Sequence, residues 1–172
     1  MIDTNPGSSC EENRRAPISA PGEIMPDFSL VSTDGKRIRI SDYHGRRHLI
    51  LIFIGLGNSE MARELLRQLA DRYSELASED AQVLMIVQRG KGESKNLGQG
   101  PGLSFPVLID DDSRIHNMMG ALKPEELRAP IVCIVDRYGE IRHEFHVESS
   151  RVVYAADTIL DWVRYINLEC PE

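Results

Sequence analysis

The apolar positions fall into blocks with two different periods. His48 to Ile54 (HLILIFI) is almost unbroken apolar residue, the pattern of a central strand buried on both faces. Gln82 to Val87 (QVLMIV) and Ile131 to Val135 (IVCIV) repeat it. Between the first two, Leu65, Leu66, Leu69, Tyr73 and Leu76 recur at helical spacing with Arg, Glu and Asp between them, which predicts one helix from about Met61. Strand, helix and strand in that order imply a right-handed parallel crossover. PDFSL at 26–30 and the alternating KRIRI at 36–40, joined by the turn residues TDG, predict an N-terminal hairpin. FPVLID at 105–110 predicts a short strand, with Asp112 capping a helix through Ile115, Met118 and Met119. Asp136 to Gly139 is a turn signal, and Glu140 to Val147 returns as a less buried antiparallel strand. Val152, Ala156, Ile159, Leu160, Val163 and Ile166 draw the stripe of a final helix. The sum is an α/β fold with one mixed central sheet and helices on its faces.

The first residues, rich in Pro, Gly, Ser and charge, bury too little apolar surface to offset backbone ordering. Residues 1–21 are therefore expected to be a flexible arm, 22–168 the folded domain and 169–172 a tail. The glycine-rich stretch 90–102 (GKGESKNLGQGPG) reads as a surface loop and lacks the GxxxxGK[ST] phosphate-loop spacing. With 20 basic and 27 acidic residues the net charge is −7, which disfavours nonspecific binding to nucleic acid or an anionic membrane. The apolar run LILIFI is far too short for a spanning helix. No basic head followed by an apolar stretch opens the chain, which argues against a secretory signal. The three cysteines, at 10, 133 and 170, lie too far apart for a CxxC pair and read as reduced thiols of a cytoplasmic protein.

Four segments, in order, resemble the thioredoxin-fold redoxins, the superfamily of the peroxiredoxins (the AhpC/TSA-like proteins) and the thiol-disulfide oxidoreductases. They are PDFSLVSTDGKRIRISDYHGRRHLILIFIG, the helix SEMARELLRQLADRY, FPVLIDDDSRIHNMMG and PIVCIVDRYGEIRHEF. The resemblance spans about residues 22–166 and implies a thioredoxin-like sheet with an N-terminal hairpin and flanking helices. It also implies thiol chemistry at the start of the helix after the first central strand, through CxxC or PxxxTxxC. Here those positions hold Gly55 for the proline, Ser59 for the first cysteine or threonine, and Ala62 for the second or peroxidatic cysteine. No cysteine occurs between 11 and 132, so no register restores the thiol. A serine hydroxyl cannot enter disulfide or sulfenate chemistry, and Ser59 reads as a helix cap. Pro130 matches the family's cis-proline, which predicts a cis bond before it and an exposed main-chain edge facing the helix start.

Other polar residues carry weaker signals. Cys133 lies mid-strand and reads as core, with a relocated reactive thiol as the alternative. His44 and His48 (HGRRH) read as surface or strand-edge residues, His116 as solvated or packed beside the methionines, and His143 and His146 as pointing to opposite faces of a strand. Asp110, Asp111 and Asp112 read as the acids of a strand-to-helix junction. No metal-ligating set emerges and no cofactor is expected.

Three functions stay open at this point. One is a redoxin-like module without peroxidase chemistry that binds a protein, an extended peptide or a small anion in a groove of Asn58, Ser59, Arg128 and Pro130. Arg63 is a weaker contributor to that groove than Arg128. The second is an atypical thiol oxidoreductase or peroxidase using Cys133, or Cys10 with Cys170. The third is an unrelated activity grafted on the fold, involving the glycine-rich loop. The oligomeric state, a homo-oligomer included, is not fixed by these patterns.

Overall fold

The structure is a computed structural model that describes residues 20–55, 60–88, 103–119, 129–147 and 154–169. Almost all of the arm 1–21, the glycine-rich stretch 90–102, Asn58, Ser59, Arg128, Cys10 and Cys170 lie outside the described residues. The elements are β1 (Ser29–Ser32), β2 (Arg37–Arg39), a 3-10 turn (Ile40–Tyr43), β3 (His48–Ile54), α1 (Glu60–Asp71), α2 (Tyr73–Ser78), β4 (Ala81–Gln88), β5 (Val107–Asp110), α3 (Arg114–Met118), β6 (Ile131–Val135), β7 (Ile141–His146) and α4 (Ala155–Glu169).

Among the described residues the strands form one sheet in the order β2-β1-β5-β4-β3-β6-β7. β3 runs parallel to β4, with Ile50 opposite Val83, and antiparallel to β6, with Leu51 opposite Cys133. β4 and β5 are also parallel, while β1–β2, β1–β5 and β6–β7 are antiparallel. This is the mixed, thioredoxin-like sheet with its N-terminal hairpin.

The strand period of two sorts the apolar run of β3 onto two faces. Ile50, Ile52 and Ile54 pack with Ala62, Leu65 and Leu69 of α1, Leu76 of α2, and Ile159, Val163 and Ile166 of α4. Leu49, Leu51 and Phe53 pack on the other face with Met25, Phe28, Ile40, Ile115 of α3 and Met119 just past its end. All seven β3 residues are buried. Such burial contributes roughly 1.5–3 kcal/mol per large aliphatic side chain.

The long helix expected from Met61 is two helices. Arg72 adopts φ −95° and ψ 1°, which turns the axis between α1 and α2. Its guanidinium reaches Glu75 at 2.7 Å and Asp157 of α4 at 2.8 Å, so the break also ties two helices together.

Candidate functional site

In the open edge of an α/β sheet, the carboxyl ends of parallel strands are where ligands bind. Here those ends are Ile54 of β3, Gln88 of β4 and Asp110 of β5. Gly55 follows Ile54 and is buried, and α1 starts at Glu60. The fold therefore keeps a strand-to-helix corner where the resemblance expects chemistry. The side chains at that corner carry none of the expected sulfur. Ala62 is 0% exposed and its methyl fills the α1 face of the core. Arg63, one position on, is exposed in the first turn. The first-turn N–H groups of a helix and its positive dipole end favour anions, and an exposed guanidinium adds to that field.

Cys133 is the one cysteine among the described residues, and it is fully buried. It points into the Leu49–Leu51–Phe53 face, whereas α1 covers the opposite face of the sheet. Burial, with the nearby Glu144 carboxylate, pushes its thiol well above the usual cysteine range. A reactive cysteine needs the reverse, an exposed position with a lowered pKa.

Two expectations for Pro130 do not hold. No described peptide bond is cis, so Pro130 is reached through a trans bond. Pro130 is also buried, and its carbonyl accepts the Val147 N–H at 2.9 Å. The carbonyl is occupied because Pro130 extends the β6–β7 ladder by one rung. Proline has no N–H to offer in its place. Pro130 thus supplies a wall and no open strand edge.

The sequence missed a buried polar centre on the far side of the same corner. His116 is fully buried, neither solvated nor merely packed beside methionines. Its Nδ1 lies 2.7 Å from Asp110 Oδ2 and its Nε2 lies 3.3 Å from the Ile54 carbonyl. Asp110 Oδ2 also accepts the backbone N–H groups of Ile115 and His116, at 3.1 and 2.9 Å. Burial raises the Asp110 carboxyl, but the His116 ring and these two N–H groups outweigh it and hold it below the ordinary range. Asp112 plays the smaller capping role, accepting from Arg114 N–H at 3.1 Å. An aspartate six residues before a histidine, across a strand end, was the available signal.

His48 is likewise buried, not at the surface, and binds Asn167 of α4 at 2.9 Å. His143 stacks on Trp162 with ring centroids 4.2 Å apart, while His146 is exposed, in keeping with their opposite faces. Among the described residues no three His, Cys, Asp or Glu side chains gather to hold a metal ion. No described helix is long and apolar enough to cross a membrane.

Comparison with known proteins agrees with this architecture. The AhpC/TSA family model matches residues 21–144. Peroxiredoxin Bcp of Escherichia coli is 24% identical over 158 residues, covering 86% of this chain and 97% of that protein. The thiol-disulfide oxidoreductase ResA of Bacillus subtilis is 31% identical over 98 residues, 55% of this chain and 52% of that one. Among solved structures, peroxidoxin BcpB from Mycobacterium tuberculosis superposes with a TM-score of 0.72 at 17% identity, over 86% of this chain and 98% of that one.

Proposed function

Because the chain belongs to the AhpC/TSA family, we propose that it is a redoxin-fold binding protein that no longer carries out thiol peroxide chemistry. One observation carries this reading. Ala62, which the family resemblance aligns with the peroxidatic cysteine, is buried in the core beside β3, and Cys133 is sealed beneath the opposite face of the sheet. A peroxidatic cycle needs a thiolate that can meet peroxide and then be resolved by a second thiol. Neither described position can supply one.

The ligand proposed is a small anion, or an acidic group on a protein partner, held at the start of α1. The N–H donors there remain when the thiol is gone, and the exposed Arg63 adds positive charge. Asn58, Ser59 and Arg128 are assigned to the same site from their sequence positions. Buried Pro130, with its carbonyl taken by Val147, weighs against strand addition by an extended peptide at that point.

Backbone amide shift mapping with phosphate, acetate and acidic peptides tests the reading. Saturable shifts clustered at residues 57–63 and 128–131 are expected. Shifts confined to another surface would move the site elsewhere. The competing reading is a peroxidase that uses Cys10 and Cys170, and its support is the similarity to peroxiredoxin Bcp. Under the binding reading, replacing Ser59 with Ala changes any peroxide turnover by less than about threefold, because serine oxygen cannot enter the sulfur oxidation ladder.

A further inference from the structure

At the opposite pole of the sheet from the β3–α1 corner, four elements meet on one side chain. Asn167, near the end of α4, donates through Nδ2 to the Glu79 carbonyl at 3.2 Å and to Glu79 Oε2 at 3.1 Å. Those two bonds fix the orientation of its amide, so Oδ1 is the atom facing His48 Nε2 at 2.9 Å. Arg137, in the turn after β6, donates to the same Oδ1 at 3.1 Å. His48 Nε2 must then carry its proton. The 3.4 Å approach of Arg137 Nη2 to that nitrogen is an approach of two donors. The other ring nitrogen, Nδ1, is buried with no hydrogen-bond partner, and so is Arg137 Nε.

This arrangement accepts only one protonation state. A neutral ring with its proton on Nε2 satisfies Asn167 and leaves a bare lone pair on Nδ1, a tolerable loss. A proton on Nδ1 would bury a second N–H with no acceptor and place a cation against the Arg137 guanidinium.

The surrounding charges do not offset this. On the β6–β7 side, Asp136 already accepts the N–H groups of Tyr138 and Glu140 and the Arg142 guanidinium. On the α2–β4 side, Asp80 lends its backbone carbonyl to His48 N–H, and Glu79 is engaged by Asn167 and by Arg164 at 3.1 Å. On α4, Glu169 is engaged by Arg142. Burial first, then Arg137, keep the imidazole below the ordinary histidine range against the opposing pull of Asn167, Asp136 and Asp80.

We propose that His48, Asn167 and Arg137 form a pH-sensitive latch, which holds the last turn of α4 to the amino end of β3 while His48 is neutral and releases it when the ring gains a proton. The sign follows from linkage. The closed state binds the proton less readily than the open state, where histidine has its ordinary value near 6.5. The closed state is therefore fully favoured above about pH 6.5 and loses ground as the pH falls below it. Local opening should rise between pH 7.5 and 5.5, by at most about tenfold, the limit set by the ordinary histidine value.

Two measurements on the full chain test the latch. Nitrogen-15 spectra of the His48 ring at pH 7.5 should show a bare Nδ1 and a protonated Nε2. Amide hydrogen exchange, corrected for its intrinsic pH dependence, should show weaker protection of residues 164–169 at pH 5.5 than at 7.5, by more than twofold and up to about tenfold, with α1 amides unchanged. His48→Gln retains a donor for Asn167 and cannot titrate, so it should abolish the acid response. If that variant does not fold, Arg137→Gln should blunt the response severalfold by removing the like charge. A protonated Nδ1 at pH 7.5, protection that changes less than twofold in the wild type, or an undiminished acid response in the variants would each overturn the proposal.

Discussion

A fully buried histidine stands against each end of β3, and the two rings meet different partners. His116, on the α3 side, has an oxygen acceptor at both ring nitrogens, the Asp110 carboxylate and the Ile54 carbonyl. His48, on the α4 side, has an amide oxygen at one nitrogen, a guanidinium close by and nothing at the other. Equal burial therefore does not mean equal chemistry. The partners decide which hydrogen bonds each ring can make. One end of the strand sits beside the corner where the family places its reactive group, and the carboxylate–imidazole pair stiffens that corner from beneath. The other end fastens the last helix and has no part in that corner.

Removing Asp110 should have the largest effect. Asp110→Ala strands the His116 ring and two α3 N–H groups together, and loss of one partner of a buried pair costs about 3–5 kcal/mol. Denaturant unfolding should show this as a lowered midpoint at unchanged slope. A loss below about 1 kcal/mol would mean that the pair does not hold the corner.

The acid response should then separate the two ends. The Asp110 carboxyl is held below its ordinary value in the folded state, so its contribution is present above about pH 4 and disappears as the pH falls further. The His48 contribution disappears earlier, below about pH 6.5. Stability measured against pH should fall in those two windows; His48→Gln should remove the upper one, whereas Asn167→Ala, which takes away a contact that raises the His48 pKa, should keep it. That variant also leaves an Nε2–H and the Glu79 carbonyl without their partner, at about 1–3 kcal/mol.

Gly139 offers a smaller test at the His48 end. It sits at φ +90°, and an added Cβ would stand 3.0 Å from His44 Nε2. Gly139→Ala should cost about 1–2 kcal/mol, mostly from the backbone, because the exposed His44 ring can move aside. Cys133→Ala should cost about 1 kcal/mol as a small cavity, and it should leave peroxide reactivity where it was. Thermal unfolding of both variants checks these values.

The framework was legible in the sequence because its signals are local. Seven consecutive buried positions in β3, helical spacing in α1 and α4, and the Asp136–Gly139 turn each specify an element from neighbouring residues. That no cysteine stands between 11 and 132 is likewise read directly from the letters. The polar pairs were not. His48 opens an apolar run beside two arginines and reads as surface until Asn167, 119 positions later, is brought against it. For His116 the one signal was an aspartate six residues earlier, which does not show that the ring turns back to Asp110 and on to the end of β3. The break at Arg72 was hidden because the apolar spacing continues through it, and the carboxylates that its guanidinium meets, one of them on α4, are not adjacent in the pattern. At Pro130 the family pattern misled, because the chain uses that residue as a rung of the β6–β7 ladder.

The central claim is that this AhpC/TSA chain acts without a peroxidatic thiol. The most direct test is rapid-mixing oxidation of the fully reduced protein by hydrogen peroxide, beside a variant with Cys10, Cys133 and Cys170 all replaced by alanine. The same slow peroxide consumption is expected for both, with Cys133 unmodified in the folded wild type. A fast, saturable consumption present only in the wild type would contradict it and return the protein to the peroxidases.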